Sequence, residues 1–177
     1  MPGDLKGGEC LVLGDSIIRN VGNECPDIKV ECFPGIRTEQ LQRVIERREL
    51  GSPDSVVIHV GTNDLRRTGN LDYVMGDAYD LVNKVKTKFS ASRVVLSGVL
   101  RREDVSWRRI GAVNDRLEWI AKTLAVTFVD THLLSTQIFV YISIRSLQGM
   151  DMYFNPHKER NLQVWSVGRL DDLWWEV

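Results

Sequence analysis

The sequence predicts an α/β fold built on a five-stranded parallel sheet. Three observations carry that expectation. Apolar runs of strand length alternate with amphipathic stretches of helical period. The runs SVVIHV and RVVLSGVL are nearly unbroken, as in strands covered on both faces. The first three runs end in turn-forming residues, Gly14-Asp15-Ser16, Pro34-Gly35 and Gly61-Thr62-Asn63-Asp64. At 177 residues the chain has the length of one domain, taken as 1–177, with a sizeable core.

The elements follow in order. Residues Cys10 to Leu13 form a short apolar strand that leaves sharply through Gly14-Asp15-Ser16, and Ile17, Ile18 and Val21 suggest a short helix after it. Residues 28–33 alternate, with Ile28, Val30 and Cys32 on one face, until Pro34-Gly35 stops the strand. Thr38 is the expected N-cap of a helix with Leu41, Val44, Ile45 and Leu50 inward. The third strand, 55–60, ends in Gly61-Thr62-Asn63-Asp64. A helix over 72–89 turns Val74, Ala78, Leu81, Val82 and Val85 inward, and a fourth strand spans 93–100. A helix over 107–124 buries Ile110, Val113, Leu117, Ile120 and Leu124, and a fifth strand spans 125–129. Strands alternating with helices imply right-handed parallel crossovers, and such sheets bind ligands beyond the carboxyl ends of their strands. That rule gathers the Gly-Asp-Ser, Pro-Gly and Gly-Thr-Asn-Asp turns on one edge.

Bulk composition excludes little. The hydrophobic share is 43%, the charged share 27% and the formal net charge −1. This balance neither demands nor excludes a polyanionic partner, so any nucleic-acid interest would rest on a local basic patch. The opening MPGDLKGGEC has no apolar signal region, and Cys10, Cys25 and Cys32 form no Cys-x-x-Cys pair. The expectation is reduced thiols in a cytoplasmic or nuclear protein. TQIFVYISI (136–144) is too short to cross a bilayer as a helix. His and Cys residues are scattered without metal-ligand spacing, so neither metal nor cofactor is expected. Oligomeric state is not legible.

The turns carry chemistry. A serine at a strand-to-helix turn projects its hydroxyl over the sheet, where the first helical amides favour developing negative charge. Ser16 is therefore a candidate nucleophile, with helix N-cap as the plain alternative; Asp15 beside it would steady the turn through backbone contacts. An acyl-transfer site needs donors aimed at the oxygen of the tetrahedral intermediate. The Ser16 and Gly35 amides and the Asn63 side chain can supply them, Gly35 because it lacks a Cβ. Simple turn-making is the alternative for Gly35 and Asn63.

Those residues carry a resemblance. LVLGDSII, FPGIRT and VGTNDL, in that order, resemble the first three blocks of the SGNH (GDSL-type) hydrolases, a family of esterases, lipases and deacetylases, over about residues 9–131. The resemblance implies a flavodoxin-like three-layer α/β/α sandwich, Ser16 as nucleophile, and Gly35 and Asn63 as oxyanion donors. Residues 94–130 also resemble the esterase-like domains encoded by some vertebrate LINE-type retrotransposons, which implies a nucleic-acid-related setting. The family's last block, Asp-x-x-His, supplies the base and its orienting acid, and this chain has no such block. His157 lies nearest the expected position, with Asp151 to orient it. His132 lies early, and an alternative alignment puts Tyr153 where the histidine belongs. His59, inside the third strand, is expected to be structural. Clustered apolar residues from Leu162 to Trp175 suggest a closing helix, with Gly168 against it.

Arg66-Arg67 and Arg101-Arg102 follow the third and fourth strands on the same edge, with Arg108-Arg109 close behind. They form a possible positive rim for an anionic ester, a lipid head group or RNA phosphate, diluted by Glu103, Asp104, Asp64 and Asp72. Solvated loop charge is the plain alternative. The sequence thus points to a hydrolase cleaving short-acyl carboxylic esters, or lipids, through an acyl-serine. The alternative is a catalytically impaired binding or assembly module of retroelement origin.

Overall fold

The computed structural model describes residues 9–22, 26–67, 70–100 and 103–131, the side chain of residue 67 excepted. Five strands form one parallel sheet: β1 (Cys10–Gly14), β2 (Ile28–Cys32), β3 (Ser55–His59), β4 (Arg93–Ser97) and β5 (Thr127–Val129), in the order β2-β1-β3-β4-β5. The connections carry a 3-10 turn (Ser16–Ile18) and helices α1 (Thr38–Arg47), α2 (Thr62–Arg67), α3 (Leu71–Lys88) and α4 (Trp107–Thr123).

Strand alternation sorts the core onto two faces. Leu11, Leu13, Val56, Ile58, Val94 and Leu96 face Leu41 and Ile45 of α1, Leu81 and Val85 of α3, and Val113, Leu117 and Ile120 of α4. Cys10, Val12, Val57, Val95 and Val129 lie on the other face with Ile18 and Val21. This two-sided burial explains why β1 and β3 read as unbroken apolar runs. The edge strand β2 is half-buried along its length, with Ile28, Val30 and Cys32 packed against the second cluster. Burial pushes the Cys10 thiol up to about 12, which makes it an inert core residue rather than a nucleophile.

Within the described residues the expected strands and long helices are present, with shifted ends. The fourth strand stops at Ser97, because the Asn114 side chain grips the next segment: its Oδ1 accepts from Val99 N at 2.7 Å and its Nδ2 donates to Val99 O at 3.2 Å. Thr38 is not the cap of α1. Arg37 holds that place in extended conformation, its N–H donating to Gln40 Oε1 at 3.0 Å, while Thr38 begins the helix. Leu50, expected on this helix, lies beyond its end and is buried all the same. The short helix α2, where the sequence suggested only a turn, is an addition.

The order β2-β1-β3 reverses the chain's direction of travel between β1 and β3, which opens a crevice at their carboxyl ends. Gly14 pairs with His59 across the two strands, and an added Cβ there would sit 2.2 Å from the His59 carbonyl oxygen. Gly14→Ala is therefore expected to cost about 2–3 kcal/mol through forced separation of the strands. Thermal unfolding should show a Tm lower by about 5–10 °C.

Candidate active site

The crevice between β1 and β3 is built from three turns. The first follows β1. Asp15, extended at φ −83° and ψ −171° and 1% exposed, caps the 3-10 turn: its Oδ1 accepts from Ile17 N at 2.9 Å and its carbonyl from Ile18 N at 3.3 Å. The cap reading of Ser16 is thereby corrected. Ser16 is the first residue inside the turn and is exposed, with its side chain released from capping. Asp15 steadies the turn as expected, by side chain as well as backbone.

The second turn follows β2. Phe33 N donates to Gly14 O at 2.9 Å, tying it to the end of β1, and Cys32 Sγ donates to Asp15 O at 3.4 Å. Ile36 N donates to Phe33 O at 3.1 Å across Pro34-Gly35, with Gly35 at φ +74°. Proline second and a left-handed glycine third match a type II turn. Space does not explain the glycine, since an added Cβ would meet nothing within 4 Å. Its backbone sign does: a side chain there would cost about 1–2 kcal/mol.

The third turn follows β3, and its two consecutive side chains in α2 bind the other two. Asn63 Nδ2 donates to Ile36 O at 3.0 Å and to Asp15 Oδ2 at 3.4 Å. Asp64 accepts from Thr38 Oγ1 at 2.9 Å and Thr38 N at 3.1 Å, which seats the start of α1 against α2. Burial pushes the Asp64 carboxyl up, and the Thr38 hydrogen bonds pull it back. Asp64 is thus a buried tie and does not dilute a charged rim.

The structure therefore joins the segments of Ser16, Gly35 and Asn63 in one hydrogen-bonded cluster. The other expectations fare differently. Arg66 is matched by Asp104, with Nε at 2.8 Å and Nη2 at 2.7 Å from one carboxylate oxygen, so its charge is largely balanced. Asp72 pairs with Arg116, and the Arg108 guanidinium lies 5.6 Å from the Trp107 ring centroid. Cys25, Arg101, Arg102, His132, Asp151, Tyr153, His157, the 136–144 run and the closing segment lie outside the described residues, as does the Arg67 side chain. Among the described residues no three His, Cys, Asp or Glu side chains gather to hold a metal, and no helix is long and apolar enough to cross a membrane.

His59 is structural, as its place in β3 suggested. It is fully buried, with Nδ1 2.6 Å from Ser97 Oγ. The Ser97 hydroxyl also donates to Gly98 O at 2.8 Å. Gly98 O also accepts from Thr131 Oγ1 at 2.6 Å, so the cluster links the ends of β3, β4 and β5. Sequence reasoning missed this cluster, the Asp64–Thr38 tie and the reach of Asp15 to Asn63. Each pairs residues distant in the chain; the juxtaposition of Asn63 and Asp64 was the one local signal.

A family model described as GDSL-like lipase/acylhydrolase matches residues 19–151, most of the chain. The chain belongs to this family. Gly35 and Asn63 fall inside the matched span of this GDSL-family protein, and Ser16 lies just before it. Solved structures agree on the fold. A member of the lipolytic G-D-S-L family from Veillonella parvula is 17% identical at TM-score 0.59, over 78% of this chain and 84% of that one. The psychrotrophic esterase EstA from Pseudoalteromonas sp. is 17% identical at TM-score 0.52, over 69% and 76%. TesA is 19% identical at TM-score 0.53, over 70% and 77%. No curated protein matches the chain.

Burial sets a pH dependence. Desolvation holds His59 below its ordinary pKa, against the pull of Asp15. A folded pKa below the unfolded one means that protons favour the unfolded chain. The stability this neutral histidine permits is full above about pH 6.5 and is lost as pH falls below that value. Urea unfolding should show stability falling below pH 6.5 with a slope of up to about 1.4 kcal/mol per pH unit from this group. His59→Gln should flatten that part of the curve.

Proposed function

We propose that this GDSL-family chain is a serine esterase that cleaves short-acyl carboxylic esters through an acyl-enzyme on Ser16. The observation that supports it most is the Asn63 amide, which bonds at once to the residue before Ser16 and to the residue after Gly35. A nucleophile and two oxyanion donors thereby share one rigid cluster at the crevice.

In the proposed reaction Ser16 Oγ attacks the ester carbonyl carbon and gives up its proton to the base. The carbonyl π electrons move to oxygen, where the Gly35 and Ser16 N–H groups and Asn63 Nδ2 stabilise the charge. The intermediate collapses, the carbon–oxygen bond of the leaving alcohol breaks, and the base returns its proton to that alcohol. Water, deprotonated by the same base, then attacks the acyl carbon; the bond from that carbon to Ser16 Oγ breaks, the acid leaves, and the base returns the proton to Oγ. His157 is the proposed base and Asp151 its orienting partner, since an unassisted serine is a weak nucleophile. The chemistry calls for no cofactor. Small acyl groups suit an exposed Ser16, since Pro34 and Gly35 of the turn after β2 are exposed as well. A small-molecule ester or lipid is the proposed substrate. The likeness of residues 94–130 to LINE-encoded domains adds a nucleic-acid setting to the proposal. A rim of Arg66, Arg67, Arg101 and Arg102 supports an anionic substrate less than the sequence suggested, because Asp104 balances Arg66.

Hydrolysis of p-nitrophenyl acetate tests the reading. Ser16→Ala should fall to background, Asn63→Ala should lose about 10²–10³-fold in kcat, and His157→Ala should lose orders of magnitude. EstA is described as inhibited by monoethylphosphonate. An activated alkyl phosphonate should accordingly label Ser16, read by mass spectrometry of the intact chain and its peptides. Wild-type turnover retained in Ser16→Ala would overturn the proposal.

A further inference from the structure

We propose that Asp15 is a positioning residue whose single buried carboxylate ties the Ser16 turn to the Asn63 amide, so that nucleophile and oxyanion donor are held as one unit. The inference rests on the esterase reading above.

A carboxylate only 1% exposed is costly unless it is bonded. The bonds to this one serve the site: Oδ1 takes the Ile17 N–H of the nucleophile turn at 2.9 Å, and Oδ2 faces Asn63 Nδ2 at 3.4 Å. Its backbone carbonyl takes the Ile18 N–H and the Cys32 thiol, binding the same turn to β2. An aspartate is suited to this as its neighbours in size are not. Serine can cap the turn but offers one short oxygen. Asparagine has one acceptor, and with that acceptor on Ile17 its NH2 would face the NH2 of Asn63. Only the carboxylate has two acceptors at this reach.

The second end of the tie fixes direction. Asn63 Nδ2 carries two hydrogens. Ile36 O takes one at 3.0 Å, and Asp15 faces the other at the longer 3.4 Å. Acceptors on two different turns lock the plane of the amide. The longer contact is the one an oxyanion beside Ser16 can share, while the Ile36 bond keeps the amide in place. A carboxylate near an oxyanion also repels it. The Ile17 N–H on Oδ1 and the neighbouring 3-10 amides oppose that repulsion, and the sign of the kinetic effect decides between positioning and repulsion.

The test uses the full chain with Asp15→Ser, which keeps the cap and drops the tie, and Asp15→Asn, which keeps the shape and reverses one contact. Two quantities are measured: kcat and KM on p-nitrophenyl acetate, and the side-chain amide resonances of Asn63, assigned by their loss in Asn63→Ala. Expected are a fall in kcat on the order of 10²-fold with KM changed less than about twofold, and moved Asn63 resonances in both variants. Should one variant not fold, the other carries both readouts. A kcat that holds or rises, or Asn63 resonances that stay in place while Ser16-dependent turnover persists in the wild type, overturns this inference alone. Absence of Ser16-dependent turnover in the wild type overturns the esterase reading and this inference with it.

Discussion

The pairing of β1 with β3 is the constraint on which the rest of the molecule depends. Their register sets Gly14 against His59, and the missing side chain lets the two backbones close to a distance that any Cβ would block. The chain has already gone outward to β2 on the far side of β1 before it returns to build β3. The turns after β1 and β3 therefore emerge beside each other with nothing of the sheet between them. The turns that carry Ser16 and Asn63, far apart in sequence, are neighbours through that one pairing.

What the pairing brings together, a small set of buried polar groups holds. Asp15, Asp64, His59 and Asn114 are each under a tenth exposed, and each meets partners from another segment. Unpaired, such groups would cost several kcal/mol apiece. Paired, they favour this arrangement of the loops over any that would leave one of them unbonded. Apolar packing of α1, α3 and α4 on the sheet supplies stability without specifying the loops, and the polar ties make the carboxyl edge single-valued. Asn63 and Asp64 show the economy of this: adjacent in α2, one reaches the turns that carry Ser16 and Gly35 and the other the start of α1.

The strands and long helices were legible because their signals are local. An unbroken apolar run such as Val56-Val57-Ile58 has few options besides a strand buried on both faces, and the spacing of Val74, Ala78, Leu81, Val82 and Val85 draws one face of a helix. The three turns were legible as turns, and their resemblance to a family named Ser16, Gly35 and Asn63. Less was readable where two residues compete for one role. Asp15 and Ser16 are both good caps, as Thr38 is beside Arg37, and local sequence does not choose between them. Arg37 won because Gln40 answers its N–H and because Thr38 is drawn to Asp64, 26 residues away.

By itself, then, the sequence determined the alternation of strand and helix, the parallel sheet, and the edge on which polar turns would gather, since apolar period and turn chemistry act over a few residues. The tertiary structure decided which side chains within those turns meet: Asp15 with Asn63, Asp64 with Thr38, His59 with Ser97, and Arg66 with Asp104. The physical reason is range. A hydrogen bond or ion pair forms between groups a few ångströms apart whatever their separation along the chain, and only the packed sheet sets those distances.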